Sequence, residues 1–157
     1  MPTLLLISDT HGKLPPSHDV IAARSDYLIH AGDIGSDAVL DRLSGPDAFL
    51  IGGNIDTAGR CGELPESSEV EVFGLSICVV HAIKPALARL KDTDFDLVVH
   101  GHSHRPSLMR DAHQWRINPG SYACPRFGVP ASYAELQVDD GAVVDVRFRV
   151  LTAPLSA

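Results

Sequence analysis

Seven side chains suited to metal-assisted chemistry fall in five short segments: Asp9-Thr10-His11, Gly32-Asp33, Gly52-Gly53-Asn54, His81 and Gly101-His102-Ser103-His104. Carboxylate, amide oxygen and imidazole together suit borderline divalent ions such as manganese, iron, cobalt, nickel or zinc. No thiolate biases the set toward softer metals. Seven donors exceed what one ion needs. Two ions sharing one carboxylate would use them all, and Asp33, central in the series, is the natural bridge. Asp9 and His11, like His102 and His104, are two residues apart, which on extended backbone aims both side chains at one face. Two divalent cations against Asp9, Asp33 and a bridging hydroxide leave a cationic site that attracts a phosphate ester. Such a pair also acidifies bound water and clamps an in-line displacement when the ions sit ~3.5–4 Å apart. Hydrolysis then needs no protein nucleophile.

Short apolar runs end just before each segment. Residues 4–8, 27–30, 48–51 and 97–100 read as buried central strands that deliver a loop at their C-terminal ends, where open α/β sheets gather ligand-binding residues. Between them lie helix starts at Ser17, at Ser36 ahead of residues 37–43, and at Pro85 leading through Leu87 and Leu90. Residues 69–73 and 75–80 alternate around Gly74 as a hairpin. After His104 the pattern turns antiparallel, with strands at 107–110, 114–117, 132–138 and 143–150, the last two joined at Asp139-Asp140-Gly141. Two packed sheets flanked by helices are therefore expected.

With 157 residues, 45% of them hydrophobic, no repeat and no linker, the chain is expected to form a single domain over 1–157. The run after Met1-Pro2 lacks the basic flank and length of a signal peptide, and no apolar stretch nears the ~20 residues that span a bilayer. A cytoplasmic location without membrane contact follows as the expectation. The formal charge of −7 and the scattered Lys and Arg exclude the basic stripe that a nucleic acid polymer requires. Three widely spaced cysteines, Cys61, Cys78 and Cys124, suggest neither a disulfide framework nor a zinc ribbon. The expected partner is a small phosphoester, and the reading leaves room for a homo-oligomer.

Five ordered motifs, Ile7-Ser8-Asp9-Thr10-His11-Gly12, Ala31-Gly32-Asp33, Gly52-Gly53-Asn54-Ile55-Asp56, Gly101-His102-Ser103-His104 and Ile117-Asn118-Pro119-Gly120-Ser121, resemble those of the calcineurin-like metallophosphoesterases. More closely they resemble the small YfcE-like phosphodiesterase branch. That resemblance implies an α/β/β/α sandwich in four layers, two mainly mixed sheets between helices. It also implies that Asp9, His11, Asp33 and His104 bind one ion and Asp33, Asn54, His81 and His102 the other. Asp33, Asn54 and His81 are expected to act in catalysis, and the segment 118–121 to close the site from behind. The function implied is a dinuclear metal-dependent phosphodiesterase. The alternatives are a phosphomonoesterase or nucleotide phosphatase, whose selectivity would lie in loops such as 57–68, and a non-catalytic protein-binding scaffold on the same fold.

Two positions depart from the family pattern. Ile55 stands where many members carry a histidine that serves as general acid or phosphate contact. Ala82 follows His81 where glycine is common, so a turn needing positive φ there would weaken the second metal position. His18, His30, His100 and His113 match no ligand position, though His30 and His100 end apolar strands and are candidate hydrogen-bond partners of ligands. Asp56 could orient a neighbouring group, Arg126 could contact phosphate, and Cys124 is expected to be a packed side chain. The acidic stretch 63–71 reads as a solvated strand edge.

Overall fold

The computed structural model describes residues 1–111 and 113–151. In chain order the strands are β1 (Thr3–Ile7), β2 (Tyr27–His30), β3 (Ala48–Leu50), β4 (Ser67–Val72), β5 (Leu75–Val80), β6 (Leu97–Val99), β7 (Ser107–Asp111), β8 (Gln114–Asn118), β9 (Ser132–Asp139) and β10 (Ala142–Val150). They form two five-stranded sheets, ordered β10-β9-β1-β2-β3 and β4-β5-β6-β8-β7. Both are mixed. β1, β2 and β3 run parallel while β9 and β10 pair antiparallel; β5, β6 and β8 run parallel while β4 and β7 close the edges antiparallel.

β1 is apolar from Leu4 to Ile7 because both of its faces are covered there. Leu4 and Leu6 meet Ile77, Val79, Leu97 and Val99 of the other sheet in the central core. Leu5 and Ile7 point outward, where α1 (His18–Ala23) and α2 (Asp37–Leu43) cover them with Ile21, Val39, Leu40 and Leu43. On the far side Val80 and Val98 are covered by Ala86 and by Leu90 of α3 (Leu87–Leu90). The expected layers, helix on sheet on sheet on helix, are therefore present.

The helices are short. Ser36 caps α2, its hydroxyl accepting from Val39 N at 3.2 Å, whereas Ser17 makes no side-chain cap and α1 ends after six residues. Pro85 lies in a 3-10 turn, Lys84–Ala86, that runs into the four-residue α3. Helices this short are marginal alone and depend on the apolar face that each sheet offers them. Both hairpins turn where expected: Phe73 and Gly74 have φ of 54° and 81°, Asp140 and Gly141 of 50° and 73°, the paired positive values a two-residue turn demands. The acidic β4 is an exposed edge strand, as its charge anticipates. Among the described residues no helix is long and apolar enough to cross a membrane.

Parallel strands place their C-terminal ends together. Asp9, Asp33 and Asn54 follow β1, β2 and β3, while His81 follows β5, and His102 and His104 follow β6.

Candidate metal centre

The chain reaches the centre through left-handed backbone. Asp9, His11, Asp33, His102 and His104 have φ of 56°, 49°, 61°, 71° and 60°. This corrects the expectation that Asp9 and His11, and His102 and His104, share a face on extended backbone. Each pair instead converges through kinks, because the loops must fold back at once over the strand ends. Cross-loop hydrogen bonds hold them there: Asp9 N to Gly32 O at 3.0 Å, His11 N to Asp33 O at 3.0 Å, Gly12 N to Ile34 O at 2.7 Å, and His102 N to Asp9 Oδ2 at 3.1 Å. A non-glycine residue in this region costs about 1–2 kcal/mol, and strain so concentrated is characteristic of functional sites.

All seven predicted side chains converge. Asp33 Oδ2 lies 3.4 Å from His11 Nε2 and 3.3 Å from His81 Nε2. Asp9 Oδ1 lies 3.8 Å from His11 Nε2 and 3.5 Å from His104 Nε2. Asn54 Oδ1 stands 2.9 Å from His81 Nε2 and 3.1 Å from His102 Nδ1. Two groups able to hold a cation result, Asp9, His11, Asp33 and His104, and Asp33, His81 and His102, with potential donor atoms in each within 4.8 Å of one another. Asp33 belongs to both.

Two orphaned atoms test whether a cation fits. Asp9 Oδ1 and His11 Nε2 are buried without a hydrogen-bond partner. Such a group costs roughly 1–3 kcal/mol, more if charged, and a cation between them removes that cost. The imidazoles are prepared for the same role. His81 Nδ1 donates to Ala31 O at 2.8 Å and His104 Nδ1 to Cys124 O at 3.0 Å, which directs each Nε2 into the cluster. His81 Nε2 then faces a carboxylate and an amide oxygen, an electron-rich arrangement that only a proton or a metal ion satisfies. Burial lowers the pKa of His81, but the Asp33 carboxylate and the Ala31 carbonyl outweigh it and the net shift is upward. Burial likewise opposes the charge on Asp33, yet His81, the Ile55 amide and His11 hold its carboxyl well below the usual range.

A surrounding set of hydrogen bonds fixes these groups. Ser8 Oγ donates to Asp9 Oδ2 at 2.6 Å. Asn118 Nδ2 donates to Gly101 O at 3.0 Å, and Ser121 Oγ to Asp9 O at 3.0 Å and Cys124 O at 2.7 Å, so the closing segment 118–121 supports both strand ends. His30 Nδ1 accepts from Gly32 N at 3.0 Å, which leaves Nε2–H to donate to Thr10 Oγ1 at 3.0 Å, and Thr10 passes the bond to Ile34 O at 2.8 Å. Asp56 ties two loops together, accepting from Ile34, Gly35 and Gly53 amides at 3.0, 2.9 and 2.8 Å. Sequence reasoning missed Ser8 and Thr10, whose only signal was a polar run directly after β1.

His100 does not join this set, since its Nδ1 is buried without a partner and its charged neighbour is Arg116. His18 bonds Tyr122 OH at 2.8 Å on the helix side of the first sheet. His113 contacts Thr93 O at 3.3 Å. Ala82 is absent from the positive-φ residues, so its turn needs no glycine and the feared weakening of the second position does not arise. Ile55 contributes through its amide, which donates to Asp33 Oδ1 at 3.1 Å, while its side chain is exposed.

Two buried imidazoles outside the cluster set a pH dependence. Burial pushes His30 and His100 from 6.5 down to about 4, for His100 with help from the Arg116 charge. Between those values the unfolded chain binds protons that the folded chain refuses. The stability these two groups contribute is thus complete above pH 6.5 and is lost toward pH 4, by about 3 kcal/mol per imidazole. In His100→Leu, urea unfolding between pH 7 and 4.5 should show the slope of stability against pH reduced by about one proton. An unchanged slope would mean that His100 takes up its proton as readily in the folded chain as in the unfolded one.

Known proteins resemble this chain in sequence and in fold. The family pattern described as the calcineurin-like phosphoesterase superfamily domain matches residues 3–141. A probable metallophosphoesterase of Methanocaldococcus jannaschii is 29% identical over 149 residues, covering 86% of this chain and 75% of that protein. The structure of YfcE, a phosphoesterase from Escherichia coli, superposes with a TM-score of 0.65 at 22% identity, over 92% of this chain and 98% of that one. Vps29 from Cryptosporidium parvum superposes with a TM-score of 0.74 at 19% identity, over 97% and 98%. At these identities the two structures establish likeness of fold. Matched from its first strand to the turn of its last hairpin, the chain belongs to the calcineurin-like phosphoesterase superfamily.

Proposed function

We propose that the chain is a metal-dependent phosphodiesterase whose centre takes two divalent ions, manganese first among them. Asp9, His11, Asp33 and His104 would hold one and Asp33, Asn54, His81 and His102 the other. The observation that carries this reading is the pair of buried, unpartnered atoms, Asp9 Oδ1 and His11 Nε2, beside a carboxylate common to both groups. Ions held there supply acidified water and positive charge for a phosphoester. The chain's own contribution is placement: Asp33 spans the two groups, while Asn54 and His81 define the second from two different strands. Purified chain supplied with manganese should release nitrophenol from bis-p-nitrophenyl phosphate, and a chelator should stop it. Absence of product with every divalent ion tried would transfer the reading to a protein-binding scaffold.

The side chain at position 55 sets an expectation about leaving groups. It is an isoleucine, 40% exposed and unable to give a proton to a departing alkoxide. General acids contribute about 100- to 10,000-fold, so alkyl diesters should lag aryl diesters by at least that lower factor. Equal rates on the two would show that another group donates the proton.

A further inference from the structure

A groove of about 430 Å³ opens beside the centre, and its wall includes Asn54, His81 and His102 but none of Asp9, His11 and His104. A ligand in it would therefore lie on the His81 side of the cluster. The wall continues over Val80, Ala82 and Pro85, with two charged side chains, Glu66 and Arg89. Arg89 is the arginine on this wall. Arg42, Arg60, Arg116, Arg147 and Arg149 each form an ion pair, whereas Arg89 forms none among the described residues. In a chain of formal charge −7, an uncommitted guanidinium in a partly apolar groove is a local attractor for anions.

Resting on the phosphodiesterase reading, we infer that Arg89 determines specificity: the groove receives one ester substituent of the substrate, and Arg89 pairs with a second anionic group that this substituent carries. The guanidinium offers parallel N–H donors that match the oxygens of a carboxylate or a phosphate, a geometry lysine cannot reproduce. Glu66 on the same wall repels an anion placed near it and accepts from a hydroxyl or ammonium, so it disfavours substituents charged along their whole length. The substrate class is thus a phosphodiester with a single terminal oxyanion on one arm.

Three diesters of similar shape test this: bis(4-nitrophenyl), 4-nitrophenyl 4-carboxyphenyl and 4-nitrophenyl 4-phosphonophenyl phosphate, each measured for turnover and, by calorimetry, for binding to manganese-loaded protein. Arg89→Gln should weaken binding and kcat/KM for a charged diester about tenfold relative to wild type, and change the nitrophenyl diester less than about twofold. Arg89→Lys should fall between, and Arg89→Glu should lose more than Arg89→Gln. Loss with only one of the two charged diesters identifies the oxyanion as carboxylate or phosphate. Equal change on all three compounds, or none, overturns the assignment of Arg89. Should wild type bind the charged diesters with an Arg89-dependent preference yet turn over nothing, the groove stands and the phosphodiesterase reading falls.

Discussion

Asp33→Ala should lose bound divalent ion and turnover together, with activity falling by about 1,000-fold or more, beyond the 10- to 100-fold that removal of a ligand's hydrogen-bond partner costs. Its carboxylate is the one that faces both His11 and His81, at 3.4 and 3.3 Å, and it also receives the Ile55 amide. Removing it leaves the second group with His81, His102 and the neutral Asn54, which carry no negative charge to offset a cation. Asp33→Asn keeps the shape and the Ile55 bond, so it separates charge from packing. Elemental analysis of the purified variants, alongside rates on an aryl diester, decides the matter. Metal content near wild type in Asp33→Ala would rule out its bridging place.

Gly53→Ala and Gly101→Ala form the second large effect, because each glycine lets backbone lie against a candidate ligand. A Cβ on Gly53 would overlap Asp33 Oδ1 and come within 2.8 Å of Asp33 Cγ. One on Gly101 would overlap Ser8 Oγ and reach 2.7 Å from Asp9 Oδ2. Neither glycine has positive φ, so the constraint is close approach and not backbone freedom. Overpacking costs about 1–3 kcal/mol, which for a chain of this length lowers Tm by roughly 2–4 °C per kcal/mol. The carboxylate must also move, and metal affinity should fall 10- to 100-fold, the scale of a lost supporting contact. Gly45→Ala, where an added Cβ meets nothing within 4 Å, is the control and should leave both quantities unchanged. Wild-type metal affinity in both site variants would show that the carboxylates need not stand where they do.

Strand order along the chain was legible because burial on both faces writes an unbroken apolar run, as in Leu4, Leu5, Leu6 and Ile7, and because each run gives way to glycine or a polar residue. Helix lengths were less legible. Ser17 and Ser36 look alike in sequence, yet only Ser36 completes a cap, since the deciding variable is the backbone angle that packing imposes. His30 and His100 also look alike, each closing an apolar run, but Gly32 and Thr10 receive the first while the second faces Arg116. Asp56 could be named a turn carboxylate from its neighbours; that it holds amides 21 and 22 residues away could not.

The amino-acid order alone determined which seven side chains meet at the candidate centre and which strand ends deliver them, because donor type and local apolar runs are properties of short segments. Tertiary structure alone decided the left-handed kinks that aim those side chains, the buried atoms left without partners, and the groove where Arg89 stands. These arise from hydrogen bonds and close contacts between loops distant along the chain, and such closures exist only once both sheets have packed.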